Sequence, residues 1–300
     1  MEKFLKYTLA VMTGTVLGLV IFSILSVIVF VGLIGIAMTA TTFSTGDPNE
    51  SKVLVVKLNT PIVEKSSDEY SSITKMFGME PQLALNDILD NIHRAKNDTK
   101  IEGIFLQIPD VQAGVSTIRE IREALENFKQ SGKFIIAHSD VYSQAGYYLS
   151  SVADKVYISP EGLLEFKGIA ARVLFIKRTM EKIGLEPQIL RHGKYKSAIE
   201  MFDRESMSKE NREQISAYIR EIWQTVVNDI AESRNTSAPY LNNLADSLLV
   251  RNSYDAVKYG LIDEIKYYDE VLKEIKDSLR LEASKKIPVI NLSDYIDNSI

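Results

Sequence analysis

Between Lys6 and Asp47 the chain carries no charged residue, and Val11 to Ala40 is dominated by Val, Ile, Leu, Phe, Gly and Ala. About twenty such residues cross a bilayer, so the run is long enough to span one. Lys3 and Lys6 before it and the small residues from Ala37 to Ala40 also suit a cleaved signal peptide. Against that, the apolar core is about twice an ordinary signal length, and Met38 stands where a small residue is wanted. The pattern therefore predicts an uncleaved anchor within residues 1–44. Lys3 and Lys6 lie on its cytoplasmic side, and everything beyond Asp47 and Glu50 lies outside. Residues 45–51, rich in turn formers, read as a linker.

Beyond the linker, strand-like and helix-like segments alternate. Lys52 to Val63 opens with an apolar run suited to a strand buried on both faces. Asp68 to Gln82 has no clean period and reads as a loop. Leu83 to Lys96 carries Leu85, Ile88, Leu89 and Ile92 at helical spacing, Ile101 to Ile108 is a strand stopped by Pro109, and Ser116 to Gln130 is an amphipathic helix begun by Ser116 or Thr117. Phe134 to His138 is a strand, Tyr142 to Ala153 a helix, and Lys155 to Ser159 a strand closed by Pro160-Glu161-Gly162. This alternation predicts an α/β fold of parallel βαβ units. Further on, helices are expected at Arg172 to Ile183, Ser208 to Arg234, Pro239 to Leu244 and Asp269 to Ala283, with strands at Gln188 to Arg191 and Ile287 to Leu292. The longest helix should bury Ile215, Ile219, Ile222, Val226 and Ile230 along one face.

The balance of 45% apolar and 25% charged residues is that of a globular protein, and the net charge of −5 with interspersed lysines argues against a nucleic-acid partner. The absence of cysteine excludes disulfides, thiolate metal sites and a cysteine nucleophile. His93, His138 and His192 lack metal-ligand spacing, and no Gly-rich phosphate loop is present, so neither metal nor cofactor is expected. Ser206-Met207-Ser208-Lys209 fits an S-x-x-K pattern but makes a better helix start.

Two stretches look organised for chemistry. Arg191-His192-Gly193-Lys194-Tyr195-Lys196-Ser197-Ala198 should place Lys196 where an irregular segment meets buried structure. Partial burial and the cations at Arg191, His192 and Lys194 would push its amine toward the neutral form that a general base requires. Asp140 to Tyr148 forms a strand-to-helix elbow in which Ser143 is either an exposed nucleophile or a helix N-cap.

The anchor, Tyr142-Ser143-Gln144-Ala145-Gly146-Tyr147-Tyr148, the strand from Lys155 to Pro160, Gly193-Lys194-Tyr195-Lys196-Ser197-Ala198 and the closing block from Ala256 to Glu264 together resemble signal peptide peptidase A. The likeness is to the N-terminal repeat of the long, two-repeat type and covers nearly the whole chain. It implies the α/β fold shared with crotonases and the Clp protease, preceded by one transmembrane helix, and a bacterial cytoplasmic-membrane protein with its domain outside. Its implied activity is cleavage of residual signal peptides with a serine nucleophile and a lysine base, on apolar, extended substrates, in a homo-oligomer resembling a tetramer.

Carried onto this sequence, the resemblance puts Lys196 at the catalytic lysine and Gln144, not Ser143, at the position of the serine. A one-residue offset at a helix start turns a side chain by roughly 100°. Ser197 lies beside the lysine as an orienting hydroxyl, and Gly114 is what remains of the oxyanion loop between Pro109 and Val115. The expected division is then residues 52–283 as an N-terminal repeat supplying the lysine, with 284–300 beginning a connection to a second repeat that supplies the serine. The competing expectation is an inactive membrane-anchored scaffold on the same fold; an acyl-CoA enzyme fits an extracytoplasmic domain poorly.

Overall fold

Val53 to Val56 are all buried, and a strand buried on both faces needs neighbours on each side. The computed structural model supplies them. It describes residues 6–7, 14–15, 17–19, 22–26, 43–44, 51–65, 83–190, 193 and 195–297, which divide into a unit of residues 1–45 and a unit of residues 46–300.

In the first unit, residues 22–26 are helical and exposed and β1 is Phe43–Ser44. No helix among the described residues is long and apolar enough to cross a membrane. Most of the Val11 to Ala40 run expected to form the anchor lies outside the described residues, as does the linker except Ser51.

In the second unit the strands are β2 (Lys52–Val56), β5 (Ile101–Leu106), β6 (Phe134–Tyr142), β7 (Lys155–Leu164), β8 (Glu264–Ile265) and β9 (Ile287–Asn291). They lie in the order β9-β2-β5-β6-β7-β8, every neighbouring pair parallel. A small separate pair joins β3 (Ile62–Val63) to β4 (Leu83–Ala84). The α/β reading with parallel strands is thus realised. Helix α1 (Leu85–Asn97) buries Leu85, Ile88, Ile92 and Ala95, and α2 (Val115–Lys129) buries Ile118, Ile121, Leu125 and Phe128, so the i, i+3, i+4 spacing of each becomes the face it packs. Within the segment expected to begin a connection, Ile287–Asn291 form β9 beside β2 and Leu292–Asp297 form α10, whose Tyr295 stacks under Arg94 of α1 at 3.8 Å.

Several expected elements differ. Helix α2 is capped by Gly114, with no bond from Ser116 or Thr117 at the cap. Strand β7 does not stop at Pro160-Glu161-Gly162 but runs to Leu164, with a register irregularity between Ser139 and Val141 of its partner β6. Proline is tolerated there because Pro160 lies past the β8 pairing, where its missing N–H leaves no ladder bond open. The helix expected from Arg172 to Ile183 shrinks to α4 (Lys177–Lys182), which buries nothing, and a short helix without a packed face is marginal. Gln188 to Leu190 is not a strand, and Leu190 is wholly exposed.

The longest helix, α6 (Lys209–Ser233), begins at a Ser208 cap as expected. It buries Val227, Ile230 and Ala231 toward its end, whereas Ile215, Ile219, Ile222 and Val226 are only half-buried. The face read from the sequence is therefore covered at one end only. The remaining helices are α3 (Gln144–Ser150), α5 (Glu200–Asp203), α7 (Ala238–Asp246), α8 (Ser253–Lys258) and α9 (Tyr268–Ser278).

Candidate functional site

The elbow between β6 and α3 is held from below. Ser143 N–H donates to Pro109 O at 2.8 Å, and a Cβ on Gly146 would meet the carbonyl oxygens of Ile108 and Pro109 at 2.6 Å, so glycine alone lets the helix start sit on the end of β5. Tyr147 and Tyr148, whose positions set the register of the comparison above, are structural. Tyr147 donates its hydroxyl to Leu261 O at 2.7 Å, and Asp263 accepts from Val156 N at 2.8 Å and pairs with Arg234 at 2.9 Å. The elbow and the closing block around Gly260 to Glu264 are thereby tied together.

Ser143 is the N-cap of α3: its Oγ accepts from Gly146 N at 3.0 Å. Gln144, half-buried beside it, is committed as fully. Its Oε1 accepts from Lys167 N at 3.2 Å and Gly168 N at 3.0 Å, and its Nε2 donates to Gly168 O at 3.2 Å. An apolar cavity of about 120 Å³ opens next to it, walled by residues of α2, α3 and α6 and by Ile169. Gly114 stands at the start of α2, where an added Cβ would meet nothing nearer than Thr117 Oγ1 at 3.9 Å.

Lys196 lies in an irregular segment, and its side chain is exposed; the partial burial expected for it is not supplied by this chain. Arg191, His192 and Lys194 are outside the described residues. What sets the segment is Glu200, which the sequence reading passed over. It is buried, and its Oε2 accepts from Ser208 N and from Asn211 Nδ2, each at 3.0 Å, while Glu200 N–H donates to Ser197 O at 2.9 Å. Burial alone would raise the Glu200 carboxyl, but the bonds from Ser208 and Asn211 and the charge of Arg204 hold it below the usual carboxylate range. The lysine segment is thus pinned to the start of α6. The elbow side chains bond to Gly146 and to residues 167–168.

His138, read from sequence as isolated, is itself buried and belongs to a polar cluster that reaches the surface at Asp140. Its Nε2 is 3.3 Å from Lys266 O and 3.4 Å from Ser159 Oγ, Tyr268 lies over the ring at 5.6 Å, and Ser159 donates to Asp140. Serine, histidine and aspartate meet here without the arrangement of a proton relay. A carbonyl oxygen has no proton to give, so an Nε2 bonded to the Lys266 carbonyl is protonated and cannot take a proton from Ser159, and Asp140 bonds the serine rather than the imidazole. Among the described residues no group of three His, Asp or Glu side chains is placed to hold a metal ion.

Burial pushes the His138 pKa below its ordinary 6.5, against the pull of the Lys266 carbonyl and Asp140. The unfolded chain then binds a proton that the folded chain refuses, so stability falls as pH drops through about 6.5, by at most about 1.4 kcal/mol per pH unit for one proton. Urea midpoints between pH 7.5 and 5.5 should show this slope, and His138→Gln should flatten it. Glu200 and Glu274, both held low, keep their contributions above the ordinary carboxylate value of 4.5 and lose them only further down.

Comparison with known proteins agrees with this architecture. Peptidase family S49 matches residues 127–282, more than half of the 300-residue chain. The chain is 31% identical over 216 residues to "Serine protease SPPA, chloroplastic" of Arabidopsis thaliana, covering 71% of this chain and 31% of that one. It is 32% identical over 245 residues to "Protease 4" of Salmonella typhi, covering 78% and 40%, and 26% identical over 288 residues to "Protease 4" of Haemophilus influenzae, covering 90% and 47%. It therefore spans less than half the length of each of these relatives. With the family pattern running from the end of α2 to α9 and taking in both the elbow and the lysine segment, the chain belongs to peptidase family S49.

Proposed function

We propose that this chain is the lysine-bearing part of a membrane-anchored Ser/Lys endopeptidase that degrades cleaved signal peptides. The observation that carries the reading is the commitment of the elbow: Ser143 Oγ caps α3, and Gln144, which the resemblance puts at the position of the serine, is bonded to the 167–168 backbone. A nucleophile has to come from elsewhere, while Lys196 is exposed and positioned by the Glu200 anchor. In the mechanism, the neutral Lys196 amine takes the proton of a serine hydroxyl supplied by a second repeat as the oxygen attacks the scissile carbonyl. The ammonium then protonates the leaving amine, and water deprotonated by the same amine releases the acyl group. Ser197, adjacent in sequence, is the orienting hydroxyl.

The exposed apolar side chains flanking Lys196 in sequence, among them Leu185, Leu190 and Tyr195, support a site completed by another polypeptide surface in a homo-oligomer. The charge-free run from Val11 to Ala40 supports an anchor in the cytoplasmic membrane with this domain on the extracytoplasmic side, next to apolar, extended substrates.

A serine-directed fluorophosphonate tests the division. Residues 1–300 should take no label, whereas the full-length gene product should be labelled on a serine outside them. Ser143→Ala should change neither result and cost about 1 kcal/mol of stability through the lost cap. An inactive scaffold, the alternative that shares the committed elbow, would leave both proteins unlabelled. Stoichiometric label on Ser143 would overturn the reading.

A further inference from the structure

We propose that the elbow of this chain is itself a docking site for an extended apolar peptide, and that the Gln144 side chain fills it when no peptide is bound. The Gln144 carboxamide is chemically a peptide amide without its chain. Its carbonyl oxygen accepts from Gly168 N at 3.0 Å and Lys167 N at 3.2 Å, and its N–H donates to Gly168 O at 3.2 Å. Exchange of both backbone bonds with a single residue, here Gly168, is how one strand residue pairs with its antiparallel neighbour. Gly168 adopts φ +85°, which turns two successive amides toward the same oxygen, a concavity that side-chain-bearing residues rarely form.

The bonding groups also define the ligand. Two donors and one acceptor lie side by side, so a carboxylate, which only accepts, would leave Gly168 O unpaired. The nearby Lys167 ammonium is engaged by Glu165 at 3.0 Å. The N–H and C=O of one extended peptide residue, which point to the same side, satisfy all three. The cavity of about 120 Å³ beside the carboxamide supplies the second half of the recognition. Its walls include Ile118, Ala145, Tyr148, Ile169, Ile222 and Val226, it lies between Gln144 and the residue after Gly168, and it has room for one branched aliphatic side chain. A peptide residue pairing with Gly168 would carry such a side chain into it. With no free hydroxyl at the elbow, the bound peptide would be held and not cut. This site does not depend on the role given to Lys196.

The test is fluorescence anisotropy of a short, end-blocked, fluorescein-labelled Leu/Ala peptide with the whole chain. Removing the internal competitor in Gln144→Ala should tighten binding about tenfold or more. Adding Val226→Trp, which fills the cavity, should abolish the gain, and so should replacing the peptide's leucines with asparagine. Unchanged affinity in Gln144→Ala, or a gain indifferent to Val226→Trp, overturns the proposal. A second measurement needs no substitution: a peptide carrying a photo-reactive leucine should cross-link the unaltered chain within residues 115–119, 144–148 or 222–226. Cross-links confined to other surfaces overturn the proposal as well.

Discussion

Lys196→Ala in a protein that carries the proposed second repeat is expected to lower hydrolysis of an apolar peptide ester by about a thousandfold or more, in the range observed when a general base or a dyad member is removed. Thermal and urea unfolding should hardly move, because Lys196 is exposed and surface substitutions of this kind stay within about 0.5 kcal/mol. The contrast between lost rate and kept stability separates chemistry from folding. Lys196→Arg should not restore the rate: a guanidinium stays protonated at any working pH and has no lone pair to receive the serine proton. Glu200→Ala gives the complementary readout, since it releases the lysine segment from the start of α6 by stripping the acceptor from Ser208 N and Asn211 Nδ2. Retained activity in Lys196→Ala together with its loss in Ser143→Ala would reverse both assignments.

Arg122→Ala is expected to destabilise the domain by about 3–5 kcal/mol, read as a lower urea midpoint at an unchanged slope. Arg122 is 1% exposed and is the largest of the fully buried side chains. Its guanidinium donates to Tyr148 O and Ser151 Oγ at the end of α3 and to Asp229 O and Ser233 Oγ on α6, and it pairs with Glu126 at 2.9 Å. One cation therefore joins three helices, and its ring neighbour Tyr148, 4.6 Å away, donates its own hydroxyl to Asp229. Truncation leaves a void and several buried acceptors without a donor, and each such group costs about 1–3 kcal/mol when nothing replaces the bond. Arg122→Met, which refills the volume without the charge, should recover part of the loss. Because α3 carries the elbow, the same substitution should also weaken the peptide binding proposed for Gln144.

How far the sequence could be read varied with the range of the interaction involved. The spacing of Leu85, Ile88 and Ile92 is a local property, and it predicted which face of α1 would be buried. The Ser208 cap was legible for the same reason, since a cap joins residues three apart. The N-terminus of α2 was misread because serine and threonine mark a cap only by preference, and here the cap falls ahead of both, at Gly114. The extension of β7 through Pro160 depends on where β8 ends beside it, which no local pattern records.

The sequence alone determined the alternating α/β plan, the absence of cysteine chemistry and the charge-free N-terminal run. Each of these is written in composition or in neighbours along the chain. Tertiary structure decided what those residues do. Only packing brings Arg122 to the carbonyl of Asp229, 107 positions away, lays residues 167–168 against Gln144 across 24, and lodges Glu200 against the start of α6 while leaving Lys196 exposed. The physical reason is that a hydrogen bond or a buried charge is set by distance in space and by exclusion of water. Hydrophobic period constrains which face turns inward, but not which polar group it will meet there.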